Sequence, residues 1–226
     1  MIPWSLLDTA QIPGGAELRL MRRGSEFSIM LGQNELMNSR VSGSEEMLAA
    51  IVCERIKARE RPALLIGGLG MGFTLRAALD GLGREATVAV AELVPGVLAW
   101  ARGELRELFG GSLTDPRVTI HQGDVADLIR PKRSTFDAIL LDVDNGPQGL
   151  VREANDTLYS TQGLDATHAA LRPGGVLAVW STAPDPGFTR RLRKIGFDVD
   201  ERSVRASRTR SGARRVIWIA TRVIRS

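Results

Sequence analysis

One glycine-rich turn and a series of carboxylates at recurring places supply the residue types that hold a nucleoside. The turn reads IGGLGMG, with Gly67, Gly68, Gly70 and Gly72 set between an apolar run and a helical pattern. Glycines there let the backbone approach a ligand and aim a helix N-terminus at it. The match to G-x-G-x-x-G is imperfect, since from Gly68 the turn reads G-x-G-x-G, and no Lys-Ser/Thr follows as a phosphate-binding P-loop needs. Glu92 ends the next apolar run 20 residues after Gly72, where a carboxylate can accept both hydroxyls of a ribose. Asp124, in HQGDVADLI, has two readings: acceptor for the exocyclic amine of an adenine, or cap of the helix DVADLI. LDVDNGP then brings Asp142, Asp144 and Asn145 to the same rim. A carboxylate beside a nucleoside can orient or deprotonate an incoming nucleophile. Turn chemistry explains Asn145-Gly146-Pro147 equally well.

Other reactive residue types lack companions. His121 and His168 have no partners at ligand spacing, so no metal site is expected. The single cysteine, Cys53, cannot form an internal disulfide, and neither it nor Ser181 has an evident His-acid partner for covalent catalysis. Trp4, Trp100, Trp180 and Trp218 read as core or interface anchors, although Trp180 falls near the rim.

These residues need strands to deliver them. Apolar runs at 63–66, 87–92, 117–121, 136–142, 175–181, 197–204 and 215–220 read as seven strands, with helical patterns in most of the gaps. The alternation predicts a Rossmann-like, three-layer α/β sandwich with a mostly parallel sheet. No helical pattern separates the last two strands, so an antiparallel hairpin at the sheet edge is expected. A single helix is predicted over 95–109, opened by Pro95. Upstream, ELRLM and EFSIML flank Arg23-Gly24-Ser25 as a β-hairpin, and the Ser42/Glu45 spacing suggests a capping box for a helix over 45–59. The division expected is a hairpin cap over 1–43 and a nucleoside-binding domain over 44–226.

Composition agrees with a globular chain of 226 residues, 43% hydrophobic and 25% charged. No apolar run approaches the ~20 residues of a membrane span. No secretory signal opens the chain, and one cysteine suits a reducing cytoplasm. The formal charge of +4 hides an asymmetry: residues 186–226 hold 12 Lys/Arg against 3 Asp/Glu. Because 27 of the 30 basic residues are Arg, this reads as a chain-wide habit, and nucleic acid is not expected as a partner.

The series IGGLGMG, AELVP, DPRVTIHQGDV, FDAILLDVDNGP and LRPGGVLAVWS resembles the class I S-adenosylmethionine (AdoMet) transferases and, within them, the spermidine synthase-like family. The likeness covers roughly 45–185, with a fainter echo in the hairpin. It implies that Glu92 holds the ribose, that Asp124 and Val125 hold the adenine, and that Asp142 matches the catalytic aspartate. It also suggests that Tyr159 lines an acceptor pocket, unless that residue simply packs. The implied partners are a small-molecule acceptor such as an amine and, at the level of assembly, a homodimer.

Departures from the family pattern set the expected reaction. The family's loop typically reads GGGDGG and uses the aspartate to meet the ammonium of a decarboxylated donor, whereas Gly70 stands there in this chain. The family's Tyr-Gln-Glu corresponds to Ser44-Glu45-Glu46, and the second aspartate of its D-x-x-D loop to Asn145. A loop without its acid no longer repels a ligand carboxylate, and free helix N-terminal N–H groups favour one. Methyl transfer from intact AdoMet to an amine or small polar acceptor is therefore expected. Aminopropyl transfer from decarboxylated AdoMet stands second, with Glu45, Asp144 or Glu153 able to replace the missing charge. A non-catalytic nucleoside-binding protein is the third reading, and a NAD-dependent dehydrogenase fits less well.

Overall fold

The computed structural model describes residues 2–143, 157–207 and 213–224. Four strands open the chain: β1 (Ser5–Gln11), β2 (Glu17–Arg23), β3 (Glu26–Leu31) and β4 (Asn34–Asn38), paired in that order as an antiparallel meander. The expected hairpin is its centre, with Leu18 opposite Leu31 and Leu20 opposite Ile29. The two flanking strands were not expected. β1 buries only Ala10 among its seven residues and β4 has no buried residue, so neither carries the period-2 alternation that marks a half-buried strand.

Helix α1 (Gly43–Ile56) starts and ends earlier than predicted, burying Leu48, Val52 and Ile56. The seven-stranded sheet then follows the expected strands closely: β5 (Ala63–Gly67), β6 (Thr87–Glu92), β7 (Val118–Gln122), β8 (Phe136–Leu141), β9 (Leu171–Ser181), β10 (Phe197–Arg205) and β11 (Arg214–Arg222). Its order is β10-β11-β9-β8-β5-β6-β7. All the pairs from β9 to β7 are parallel, and β11 runs antiparallel to both of its neighbours. The last two strands thus form the predicted hairpin, with β10 at the edge.

Helices α2 (Phe73–Gly81), α3 (Pro95–Arg102), α4 (Arg106–Phe109), α5 (Val125–Ile129), α6 (Thr161–Ala170) and α7 (Pro186–Ile195), with a 3-10 turn over Ser112–Thr114, complete the described elements. The predicted 95–109 helix is two helices, because Gly103 adopts φ −107°, ψ −105° and its N–H turns back to Ala99 and Trp100 carbonyls. Alternate residues of β8 face opposite layers. Ala138 and Leu140 join the core that includes α1, α2 and α3, whereas Ile139 and Leu141 join the one that includes α5, α6 and α7. That is the three-layer sandwich, in which a strand buried on both faces reads as a continuous apolar run. The N-terminal meander packs on the first core through Leu18, Leu20 and Ile29, and Trp100 Nε1 on α3 donates a 2.7 Å hydrogen bond to Asp8 Oδ2 on β1. Among the described residues no helix is long and apolar enough to cross a membrane.

Candidate active site

The strand order reverses on either side of β5, whose partners are β6 and β8, and a crevice forms outside the carboxyl ends of strands at such a switch point. The glycine turn leaves β5 there. Gly68, Gly70 and Gly72 all have positive φ, at 89°, 50° and 80°. At Gly68 the requirement is absolute, because a Cβ would lie 2.4 Å from the carbonyl oxygen of Asp142. Loop and β8 are thereby in backbone contact, and Asp142 N–H donates 3.0 Å to the Gly67 carbonyl.

The crevice opens into a cleft of about 170 Å³. Its floor comprises Gly68 and Gly70, Glu92, Asp124 and Val125, and Asp142, while Ile12, Leu18, Ile29, Leu36 and Met37 of the N-terminal segment form an apolar cover. Six of the predicted residues therefore meet in one cavity. Gly67 and Gly72 shape the loop without lining it: Gly67 ends β5 against Leu141 and Val125, and Gly72 lies against the Phe109 ring. Tyr159 is not among the described residues of the lining. It is 2% exposed, in the second core with its ring edge-on to Phe188 at 5.5 Å, so its place here corresponds to the packing alternative. Asp144 and Asn145 lie outside the described residues.

Glu92 is buried and organises the loop. Its Oε2 accepts from Leu69 N–H at 2.9 Å and its Oε1 from Val94 N–H at 2.8 Å, with the Gly70 and Leu93 N–H groups also acting on the carboxyl. Burial pushes its carboxyl above the ordinary range, and these N–H groups oppose the rise. Asp124 caps α5 by accepting from Ala126 N–H at 2.8 Å while also facing the cleft, so both of its predicted roles are sterically compatible.

Asp142 is half-buried by exposed surface, but protein surrounds it in depth. Burial, together with the charge of Glu45, pushes its carboxyl up to about 7, opposed by Thr74 Oγ1, which donates to Asp142 Oδ2 at 2.7 Å. Glu45 lines the same cleft, and its own carboxyl is raised chiefly by burial, opposed by a 2.6 Å hydrogen bond from Ser44 Oγ and by the charge of Arg215. The expected capping box is absent, because Ser42 Oγ reaches Glu46 Oε1 at 2.9 Å and makes no cap hydrogen bond, leaving Glu45 to the cleft. Thr74 and the covering residue Met37 carried no signal in the sequence. Trp180 also lines the cleft, with the Arg215 guanidinium 5.6 Å from its ring centroid. His168 packs edge-on to Phe197 and Cys53 is buried with its thiol pushed up to about 11, which leaves no reactive thiolate near neutral pH. Among the described residues no cluster of His, Cys, Asp or Glu has the arrangement of a metal site.

A glycine turn after the central strand, an acid at the end of the next one and a seven-stranded sheet with its antiparallel last strand define a Rossmann-like fold of the class I AdoMet-type transferases. A family model described as the spermine/spermidine synthase domain matches residues 42–185, and the chain belongs to that family. It is 29% identical over 171 residues to a polyamine aminopropyltransferase of Mycobacterium tuberculosis, covering 74% of this chain and 31% of the relative. To polyamine aminopropyltransferase 2 of Pseudomonas aeruginosa it is 33% identical over 146 residues, covering 60% and 39%. The match spans about a third of the length of these curated relatives. Among solved structures, the spermidine synthase of Thermotoga maritima superposes with a TM-score of 0.74 at 20% identity, covering 97% of this chain and 73% of that one. A spermidine synthase in complex with the transition-state analogue AdoDATO gives 0.74 at 21%, with the same coverage.

These likenesses overturn the expectation of methyl transfer. That expectation rested on Gly70, and the geometry removes its premise: a Cβ at position 70 would lie 2.5 Å from Met37 Cε and 2.9 Å from its Sδ. The end of the Met37 side chain packs against the glycine, so packing together with the positive φ accounts for Gly70 without a ligand carboxylate.

Proposed function

We propose that the chain transfers an aminopropyl group from decarboxylated AdoMet to the nitrogen of an amine acceptor. The observation that carries this reading is the charge of the cleft. Its lining includes Glu45, Glu92, Asp124 and Asp142 and, among the described residues, no Lys, Arg or His. Two like charges about 4 Å apart repel by ~4 kcal/mol at an effective dielectric near 20, so a donor carboxylate is disfavoured beside Glu45 and Asp142. A donor with an ammonium and an amine acceptor are favoured by the same charges.

In this reading Glu92 accepts the ribose hydroxyls, Asp124 and Val125 meet the adenine, and the apolar cover excludes water. The donor supplies a sulfonium whose adjacent carbon is already electrophilic. The acceptor nitrogen forms a bond to that carbon as the carbon–sulfur bond breaks and its electron pair returns to sulfur. Asp142 takes the proton the nitrogen loses, and its raised carboxyl narrows the gap to an amine. Alignment of donor and acceptor supplies the remainder. We assign 1–43 as a cover over this cleft and 44–226 as the transferase domain.

The test is an assay with decarboxylated AdoMet and a panel of linear diamines and polyamines, following methylthioadenosine and the aminopropylated amine by mass spectrometry. Both products are expected in equal amounts. Bound donor with no turnover on any amine would overturn the proposal.

A further inference from the structure

Gly70 has φ +50° and the end of the Met37 side chain packs against it, so the glycine turn itself presents no acid to the cleft. The same cleft receives a carboxylate from another element. Glu45 stands in the first turn of α1, lines the cavity, and is not engaged in capping its helix. Ser44 Oγ occupies one lone pair of Glu45 Oε2, and a carboxylate has about four such sites. Asp142 lines the same cavity, and the charge of Glu45 acts on it there. Arg215 offsets part of the cost of burying Glu45, but it does not line the cavity.

We infer that Glu45, paired with Asp142, is the residue that recognises the primary ammonium of the aminopropyl donor, a task moved from the glycine loop to the start of α1. The inference rests on the aminopropyl reading above. An ammonium set between two half-buried carboxylates relieves their mutual repulsion and donates a charge-assisted hydrogen bond to each. A carboxylate on the ligand in that place adds a third like charge. Glu45 thereby sets the preference for a decarboxylated over an intact donor, while Glu92 and Asp124 serve the nucleoside that both donors share.

The test uses titration calorimetry on the full chain with three probes: decarboxylated AdoMet, AdoMet, and methylthioadenosine, which lacks the ammonium-bearing chain. In the Glu45→Gln variant the decarboxylated donor is expected to bind roughly 10- to 100-fold more weakly, the scale of a hydrogen bond to a charged group. Methylthioadenosine should stay within about twofold, and the preference over AdoMet should shrink by a similar factor to the donor loss. Equal weakening of methylthioadenosine would make Glu45 structural and overturn the inference, as would unchanged affinity for the decarboxylated donor. Glu45→Asp, which keeps the charge, should recover part of the loss; no recovery counts against the charge. Failure of the parent reading looks different, since it shows in the unsubstituted protein as no preference for the decarboxylated donor and no aminopropyl transfer.

Discussion

Thr74 Oγ1, in the first turn of α2, donates a 2.7 Å hydrogen bond to Asp142 Oδ2 at the end of β8. The bond crosses the switch point of the sheet and favours the ionised carboxylate, against burial and the charge of Glu45, which push it up to about 7. Thr74→Val keeps the shape and removes the donor, so the carboxyl of Asp142 should rise further. If turnover needs ionised Asp142, the rate climbs with pH through about 7, and the variant's rising limb should move upward. A one-unit move lowers the rate near pH 7 by roughly fivefold, approaches tenfold at lower pH, and leaves the rate intact well above. A pH–rate profile unchanged in position would separate this bond from catalysis.

Gly68 tests the backbone junction of loop and strand. A Cβ there meets the Asp142 carbonyl oxygen at 2.4 Å, and φ is +89°, so neither atom can yield without moving main chain. Gly68→Ala should destabilise the fold by roughly 2–4 kcal/mol, combining strain at positive φ with a clash. Thermal unfolding is the measurement, and a change under about 1 kcal/mol would mean that the loop stands further from β8.

Glu92→Ala removes the proposed ribose acceptor and leaves the Leu69 and Val94 N–H groups without their carboxylate. Methylthioadenosine affinity should fall by about 1–3 kcal/mol, with a lower Tm from the orphaned donors. Calorimetry on the folded variant decides it, because unchanged affinity would remove the ribose assignment.

The N-terminal meander should depend on Trp100. Its Nε1 reaches Asp8 Oδ2 at 2.7 Å, and close by a Cβ on Gly96 would lie 2.3 Å from Ala10 Cβ, so β1 is clamped onto α3. Trp100→Phe deletes the donor and should cost about 1–3 kcal/mol while raising amide exchange in β1 more than in β5. Uniform exchange changes in both strands would argue against a local tether.

What the sequence discloses follows from burial. β6 and β8 are largely buried runs, TVAVAE and FDAILL, legible because both faces need apolar residues, and each ends where the chain turns to the cleft, which exposed Glu92 and Asp142 as candidates. β1 was illegible because SLLDTAQ lies mostly in solvent at a sheet edge. Glu45 was read as a capping acid because Ser42 lies three residues before it, a spacing that cannot tell which of two adjacent glutamates turns inward. The packing of Met37 against Gly70 joins positions 33 apart and has no local pattern at all.

Asp142→Asn should separate chemistry from stability, with opposite signs. The amide keeps the volume of the carboxyl but cannot take a proton, so turnover should fall by roughly 10² to 10⁴ while methylthioadenosine affinity changes little. Stability follows from linkage. The folded-state value of about 7 lies above the ordinary 3.8, so the folded protein holds an extra proton between the two, and its stability falls as pH rises through that window. The penalty is complete above about pH 7 and absent below about pH 4. Asparagine carries no such penalty, so the variant should gain stability relative to the parent as pH rises, reaching about 1–3 kcal/mol at pH 8, or several degrees in Tm. Thermal melts at pH 4, 6 and 8, read beside turnover at saturating donor, test both halves. Equal Tm differences at all three values would show that the Asp142 carboxyl is not held up by its surroundings. Intact turnover at saturating donor would remove the role of base and leave Asp142 as a donor ligand alone.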